Sequence, residues 1–435
     1  MTQRQGFNDE LQRRLGLLRA QSLFRELRRV DSPQSTHIEI QGRSLLNFSS
    51  NDYLGLANDP RLKEAAMRAT EKFGAGAGAA RLICGSLAPH HELEGALASF
   101  KACEAALIFS SGYATAMGVI CALLEKDDVM VIDKQVHACI VDAAKLCGAK
   151  LRVFAHNDLD DLERILKWAD RRNAQNPAAR RPHILIATES VFSMDGGHAP
   201  LDRIVELKEK YGAWLMVDEA HATGLYGAHR RGLIEDFGVA DRVEIQMGTL
   251  GKALGVAGGY ICGARVLIDY LVNRARTFIF STAPAPGGSA AATAAIQVVQ
   301  SHDGDARCRQ LWERVGQIAG IRKKVCPTLS SHPAPLESPG ASLSPPPSPA
   351  GRGGTTPENT KKPHASAIIP VLIGDEAKAV EISRALLAAG IYVPAIRYPT
   401  VRRGQAQLRL TLTASHTAEE ASRLLATLSN LKSQI

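Results

Sequence analysis

One lysine stands inside a run of small residues, Gly248-Thr-Leu-Gly-Lys-Ala-Leu-Gly255. Glycines let a backbone come close to a bound group, and a lysine amine can condense with an aldehyde to form an imine. A nucleotide phosphate loop would need a glycine six residues before Lys252 and a hydroxyl residue just after it. Those positions hold Gln246 and Ala253, so that reading fails. Upstream, WLMVDEAHATG closes an apolar strand on Asp218, with His221 three residues later. A carboxylate at a strand end can pair with a protonated ring nitrogen and make the ring an electron sink. Alone, the two residues would more often be a metal pair or a hydrogen-bonded turn than a cofactor site; the lysine loop one strand further on tips the balance toward a ring cofactor.

Three weaker signals fall in the same region. Ser110-Ser-Gly-Tyr-Ala-Thr-Ala follows the run AALIF, and a helix beginning there would offer free N–H groups and its dipole to an anion, with Gly112 and Tyr113 at its start. Thr249 can add a hydroxyl to the same anion. His137 follows VMVIDKQV, and ESVFSMDGG sets Glu189, Ser193 and Asp195 after HILIAT. A lone histidine is usually structural; His137 gains interest from its place on a strand-end loop, where an imidazole can stack on a flat ring.

The elements that must hold these residues follow from hydrophobic patterning. From about 100 to 263, the runs AALIF, VMVI, LRVFA, HILIAT, WLMVD, VEIQM and YICG alternate with helical patterns. The expected fold class is therefore α/β, with a mostly parallel seven-stranded sheet covered by helices, whose strand C-termini carry the chemistry. A helical N-terminal arm over 1–55, containing NFSSNDYLGL, precedes a large domain over 56–288. A small α+β C-terminal domain over 289–435 follows. Within it, 327–363 turns abruptly to Pro, Ser, Gly and Thr, a composition unable to bury enough apolar surface to offset ordering entropy, and so is expected to be a disordered surface insertion.

Composition sets bounds on function. The 435 residues include 45% hydrophobic and 22% charged, enough for a sizeable core. The start MTQRQGFNDELQRRLG lacks the apolar centre of a signal peptide, and no apolar run reaches membrane-spanning length, so a cytoplasmic protein without membrane partners is expected. Eight cysteines lie without CxxC or Cys/His clusters, which argues against zinc and against a disulfide framework. The net charge of +8, including an Arg-rich stretch over 171–181, comes with no nucleic-acid motif. A positive field of that kind suits anionic substrates.

Taken in order, NFSSNDYLGL, SSGY, VFSMDGG, VDEAHATG, GTLGKALG, FIFSTA and AIRYPTV…LRLTLTASH resemble the motifs of the α-oxoamine synthases, a branch of the fold-type I pyridoxal-phosphate enzymes. The resemblance runs from about Leu11 to the C-terminus. It implies pyridoxal 5'-phosphate on Lys252, which also serves as acid and base, with Asp218 at the pyridine nitrogen and His221 and Ser193 at the phenolic oxygen. It further implies His137 stacked on the ring and touching substrate, and Gly112, Tyr113 and Thr249 at the phosphate. Arg25, Asn51, Arg397 and Thr400 match substrate positions, the two arginines as carboxylate binders. A homodimer is implied, with Ser281 and Thr282 reaching in from the partner subunit.

The expected reaction is a decarboxylative condensation of L-alanine with a pimeloyl thioester carried on coenzyme A or acyl carrier protein. Rival readings are a glycine-using synthase such as a glycine C-acetyltransferase, an aminotransferase, and a non-catalytic subunit of the same fold. The chain departs from the family's Gly-Ser-rich pattern at Ala79 and Ala80, and in carrying the 327–363 insertion.

Overall fold

The computed structural model describes residues 3–174, 182–325 and 365–431; the proline-rich insertion expected at 327–363 lies outside them, as does most of the Arg-rich stretch. After a helix over Gln3–Ala20 come β1 (His37–Ile40) and β2 (Arg43–Asn47), an antiparallel hairpin. The central sheet is built from β3 (Ala105–Phe109), β4 (Val129–Asp133), β5 (Lys150–Phe154), β6 (Ile184–Glu189), β7 (Trp214–Asp218), β8 (Ile245–Thr249) and β9 (Gly259–Gly263). Its order is β3-β9-β8-β7-β6-β4-β5. The neighbouring pairs from β8 to β5 are parallel, and β9 runs antiparallel to both β3 and β8. Runs such as AALIF, VMVID and ILIATE are buried along their whole length, the signature of strands covered on both faces.

Because these strands are parallel, five of their C-terminal ends open on one side of the sheet and deliver Gly112, His137, Ser193, His221 and Lys252 there. The helix over Gly112–Leu123 starts at once after β3, with Ser111 capping it by accepting the Ala114 N–H at 3.1 Å.

The C-terminal part forms a second antiparallel sheet, β10 (Ile368–Gly374), β13 (Ala406–Thr411) and β12 (Ala395–Ile396), in the order β10-β13-β12, with helices over Glu376–Ala388 and Ala418–Asn430. Two features cross the divisions read from the sequence. Strand β11 (Ile391–Tyr392) pairs in parallel with β2, so part of the N-terminal arm is built into the C-terminal α+β unit. The helix over Pro286–Val299 runs through the 288/289 division. Its Gly287 backbone comes so close to the helix over Pro60–Phe73 that a side chain there would meet Thr70 Oγ1 at 2.6 Å. Small residues draw that helix onto the large unit.

Candidate active site

Asp218 ends β7 and faces Glu189, its in-register neighbour at the end of β6. Both carboxylates are buried, at 4% and 2% exposure. Asp218 Oδ1 accepts the Ala220 N–H at 2.9 Å. Burial pushes Asp218 upward, opposed by the positive charge of Lys252, the Ala220 N–H and His137. Glu189 is pushed well above the ordinary carboxylate range, first by burial and then by Asp218. Its Oε2 accepts the Ser193 N–H at 3.0 Å, while its Oε1 is buried with no hydrogen-bond partner among the described residues. The lower-energy state of such a pair puts the proton on Glu189 and leaves the negative charge on Asp218.

Lys252 is half-buried in the turn that follows β8. Burial lowers its amine, and Asp218 and then Glu189 oppose that shift. The loop holding it lies directly on the NDYLGLA segment: Gly255 has φ +69, and a side chain there would strike the Ala57 nitrogen at 2.6 Å. Only glycine permits both the left-handed turn and this approach, which is how the lysine loop and Tyr53 come to share one site.

His221 is buried at 5% exposure, and its Nδ1 lies 2.6 Å from the Tyr53 hydroxyl. Burial holds the imidazole well below its usual range, and Lys252, Arg409 and His137 add to the effect. His137 caps the helix over Ala138–Leu146: its Nδ1 accepts the Cys139 N–H at 3.3 Å and lies 3.0 Å from the Cys139 sulfur. Its ring is exposed, so solvent screens the lowering that partial burial and Lys252 impose against the pull of Asp218.

Toward the β3 edge of the sheet, Gly259 of β9 lies so close to the helix N-terminus that a side chain on it would meet the Gly112 nitrogen at 2.7 Å. Thr249 stands beside Gly112, 3.7 Å from where a Gly112 Cβ would be, and donates its hydroxyl to the Gly258 carbonyl at 2.8 Å. Thr249 therefore ends a strand, and a turn separates it from Lys252. Tyr113 is 47% exposed, and its hydroxyl donates to Asp142 at 2.7 Å.

The substrate residues read from the sequence divide into two groups. Asn51 joins the main cluster. Arg25, Arg397 and Thr400 form a second one with the N-terminal arm: Arg397 donates to the Ser22 carbonyl and, at 3.4 Å, to the Phe24 carbonyl, while Arg25 donates to the Tyr398 carbonyl at 2.8 Å. Thr400 closes that turn through its N–H on the Arg397 carbonyl at 3.0 Å.

The arginine packed among the site residues is Arg409, which carries no role in the sequence reading. It is 8% exposed and donates to the Ser193 carbonyl at 2.6 Å, to Asn51 Oδ1 at 3.0 Å and to Thr411 Oγ1 at 3.0 Å. Its charge bears on Lys252, His221 and Tyr53. Its strand AQLRLT is buried along its whole length, which the alternation of apolar and polar residues in the sequence does not signal.

A flat ring with a basic nitrogen, a phenolic oxygen, an aldehyde and a phosphate fits these residues. An anionic acid, a neutral imidazole, an amine of lowered basicity and an open helix N-terminus with a hydroxyl are all present in one cleft. The described residues contain no group of three or more His, Cys, Asp or Glu side chains placed to hold a metal ion.

The fold and this site define a fold-type I pyridoxal-phosphate transferase, and the chain belongs to the aminotransferase class I and II family, whose profile matches residues 43–348 and 355–428. Its cofactor is pyridoxal 5'-phosphate. Within that class it belongs with the 8-amino-7-oxononanoate synthases. It is 42% identical over 427 residues to the protein of that name from Geotalea daltonii, with 98% of both chains covered. To 8-amino-7-oxononanoate synthase 1 of Bacillus velezensis it is 40% identical over 415 residues, covering 95% of each. Among solved structures, a serine palmitoyltransferase from S. paucimobilis with a bound PLP–myriocin aldimine superposes with TM-score 0.83 at 25% identity, over 100% of this chain and 99% of that one. The 8-amino-7-oxononanoate synthase of Francisella tularensis gives 0.67 at 25% identity, over 89% and 98%.

Proposed function

We propose that the protein condenses L-alanine with a pimeloyl thioester, on coenzyme A or acyl carrier protein, giving 8-amino-7-oxononanoate, carbon dioxide and the free thiol in biotin biosynthesis. The observation that carries this reading is the gathering of a half-buried amine, Lys252, with the buried Asp218 carboxylate, His137, His221 and Arg409, near enough for their charges to act on one another. When bound, the cofactor supplies an electron sink conjugated to the amino acid's α-carbon.

The chain's own residues do the rest. Lys252 would hold the cofactor; once the amino acid's own amine displaces it, the freed lysine amine, lowered by burial, would take the α-proton and later return one to the same carbon. Asp218 keeps a proton on the ring nitrogen, which needs a carboxylate that stays ionised; the neutral Glu189 beside it adds no second charge. His221 and Ser193 hold the phenolic oxygen. His137 would stack on the ring and steady the oxygen of the β-keto acid while carbon dioxide leaves. Gly112, Tyr113 and Thr249 hold the phosphate. Asn51, with Arg409, orients the amino-acid carboxylate; Arg25, Arg397 and Thr400 bound the far side of the substrate path, beside the N-terminal arm.

The working unit in this reading is a homodimer. Leu82 and Ile83 are 50% and 79% exposed, and Phe280 is 70% exposed. They lie on loops joined by the bridge between Ala80 and Thr282 and by the Ala283 N–H on the Ala79 carbonyl at 3.0 Å. Apolar residues so exposed beside FIFSTA suit burial against a second copy.

The test is product formation by purified enzyme offered L-alanine or glycine with pimeloyl or acetyl thioesters. Release of carbon dioxide and thiol with alanine and the pimeloyl donor in large excess over the other pairings is expected. Faster turnover with glycine and the acetyl donor would overturn the substrate assignment.

A further inference from the structure

Tyr53 is 1% exposed, and its hydroxyl lies 2.6 Å from His221 Nδ1, the two rings meeting edge-on at 6.0 Å between centroids. The hydroxyl also meets Asn51 Oδ1 at 3.5 Å, an oxygen that already accepts from Arg409 at 3.0 Å, and the Arg409 guanidinium itself reaches the phenol oxygen as a donor. A neutral imidazole has two ways to make the short contact. With the proton on Nδ1, the imidazole would donate to the phenol oxygen, and the phenol's own hydrogen would be left with a long contact to an occupied acceptor. With the phenol donating, the stronger acid of the pair meets the stronger base and both groups are satisfied. Both partners are in the neutral form: burial raises the Tyr53 phenol and depresses the His221 imidazole.

We infer that Tyr53 is a positioning residue that locks His221 in the tautomer carrying its proton on Nε2, leaving that N–H as the donor to the cofactor's phenolic oxygen. This rests on the placing of His221 at that oxygen, as proposed above. The lock has a spectroscopic consequence. A firm donor on the phenolic oxygen draws off its electron density and weakens its hold on the proton of the adjacent lysine-derived nitrogen. Removing the lock therefore makes that proton harder to remove. The charged and titratable groups around the pair come from every wall of the cleft: Lys252 after β8, Asp218 and Glu189 at the ends of β7 and β6, His137 after β4, and Arg409 on β13. Tyr53→Phe deletes one hydroxyl and leaves all of them in place.

The experiment is a pH titration of the visible absorbance of cofactor-loaded enzyme, for the native chain, Tyr53→Phe, His221→Asn and the double variant. Tyr53→Phe should raise the titration midpoint by about one pH unit in the native background and leave it unmoved in the His221→Asn background. An unmoved midpoint in Tyr53→Phe, or an equal shift in both backgrounds, overturns the role of Tyr53 alone. Identical titrations of the native chain and His221→Asn overturn the placing of His221, and Tyr53 with it. Should Tyr53→Phe not fold, 3-fluorotyrosine installed at position 53 keeps the hydroxyl and makes it a stronger donor. Its midpoint should fall below that of the native chain, and an unchanged midpoint overturns the proposal.

Discussion

His137 depends on Cys139 in a way that its sequence neighbourhood does not advertise. Burial keeps the Cys139 sulfur a thiol, so it can donate to His137 Nδ1 alongside its own backbone N–H. Cys139→Ser keeps a donor and should leave kcat unchanged. Cys139→Ala loses a bond worth about 0.5–1.5 kcal/mol, equivalent to a roughly 2–10-fold fall in kcat; steady-state rates with alanine and the pimeloyl donor would show it. The two arginines give a sharper contrast. Arg409→Ala should raise KM for the amino acid by about 10–100-fold, through loss of charge-assisted bonds worth about 1.5–3 kcal/mol. Arg397→Ala should instead act on the N-terminal arm, which its guanidinium grips through Ser22 and Phe24, and so have the smaller effect on that KM. A larger KM change for Arg397→Ala than for Arg409→Ala would reverse these roles. That Lys252, Asp218 and His221 fall at strand ends on one side of the sheet was legible in the sequence, because a lysine among glycines and an acid closing an apolar run both mark the end of a strand. Arg409 was not, because Leu-Arg-Leu-Thr-Leu reads as an alternating strand with a wet face, whereas in the folded protein both faces are covered.

At the level of elements, the alternation of apolar runs and helical patterns was enough to give the parallel sheet, since strands covered on both faces have little choice of composition. The reversal of β9 and the pairing of β2 with β11 were not, because short strands carry no mark of which distant edge they meet. The loop bearing Asp218 and His221 is braced from behind by a buried ion pair that the sequence also concealed. Lys101, on the helix over Ala88–Lys101, donates to Glu219 at 2.5 Å and to the Arg231 carbonyl. Glu219 in turn accepts the Ile234 N–H at 2.9 Å, and its own N–H binds the Met247 carbonyl of β8 at 2.8 Å. Both side chains are almost wholly enclosed, at 1% and 0% exposure. Lys101→Met strands a carboxylate without its counter-charge and should cost about 3–5 kcal/mol in denaturant unfolding. Adding Glu219→Leu should recover part of that loss; a single variant as stable as the native chain would show that the pair braces nothing.

Across the whole molecule, His416 fastens the C-terminal sheet to the N-terminal strands. Its Nδ1 accepts the Thr413 N–H at 3.0 Å, its Nε2 lies 3.0 Å from the Asn47 carbonyl, and its ring stacks on Phe48 at 4.3 Å. A second proton on Nδ1 would confront a donor. His90 is built alike, between the Leu87 N–H and the Pro284 carbonyl. Burial lowers both imidazoles. Below about pH 6.5 the unfolded chain takes up protons that these two refuse when folded. Their contribution is thus undiminished above that pH and is lost progressively as pH falls through the window down to their folded values. Thermal midpoints measured from neutral to mildly acidic pH should decline, and His416→Asn should flatten the decline. The pairing of β2 with β11 has a consequence for synthesis. The β1–β2 hairpin leaves the ribosome early, yet the strand that covers its open edge lies at Ile391–Tyr392. Throughout most of translation that edge is an unsatisfied ladder, a ready template for a neighbouring nascent chain. Fragments ending short of Ile391 should therefore aggregate more readily than chains that extend just beyond it.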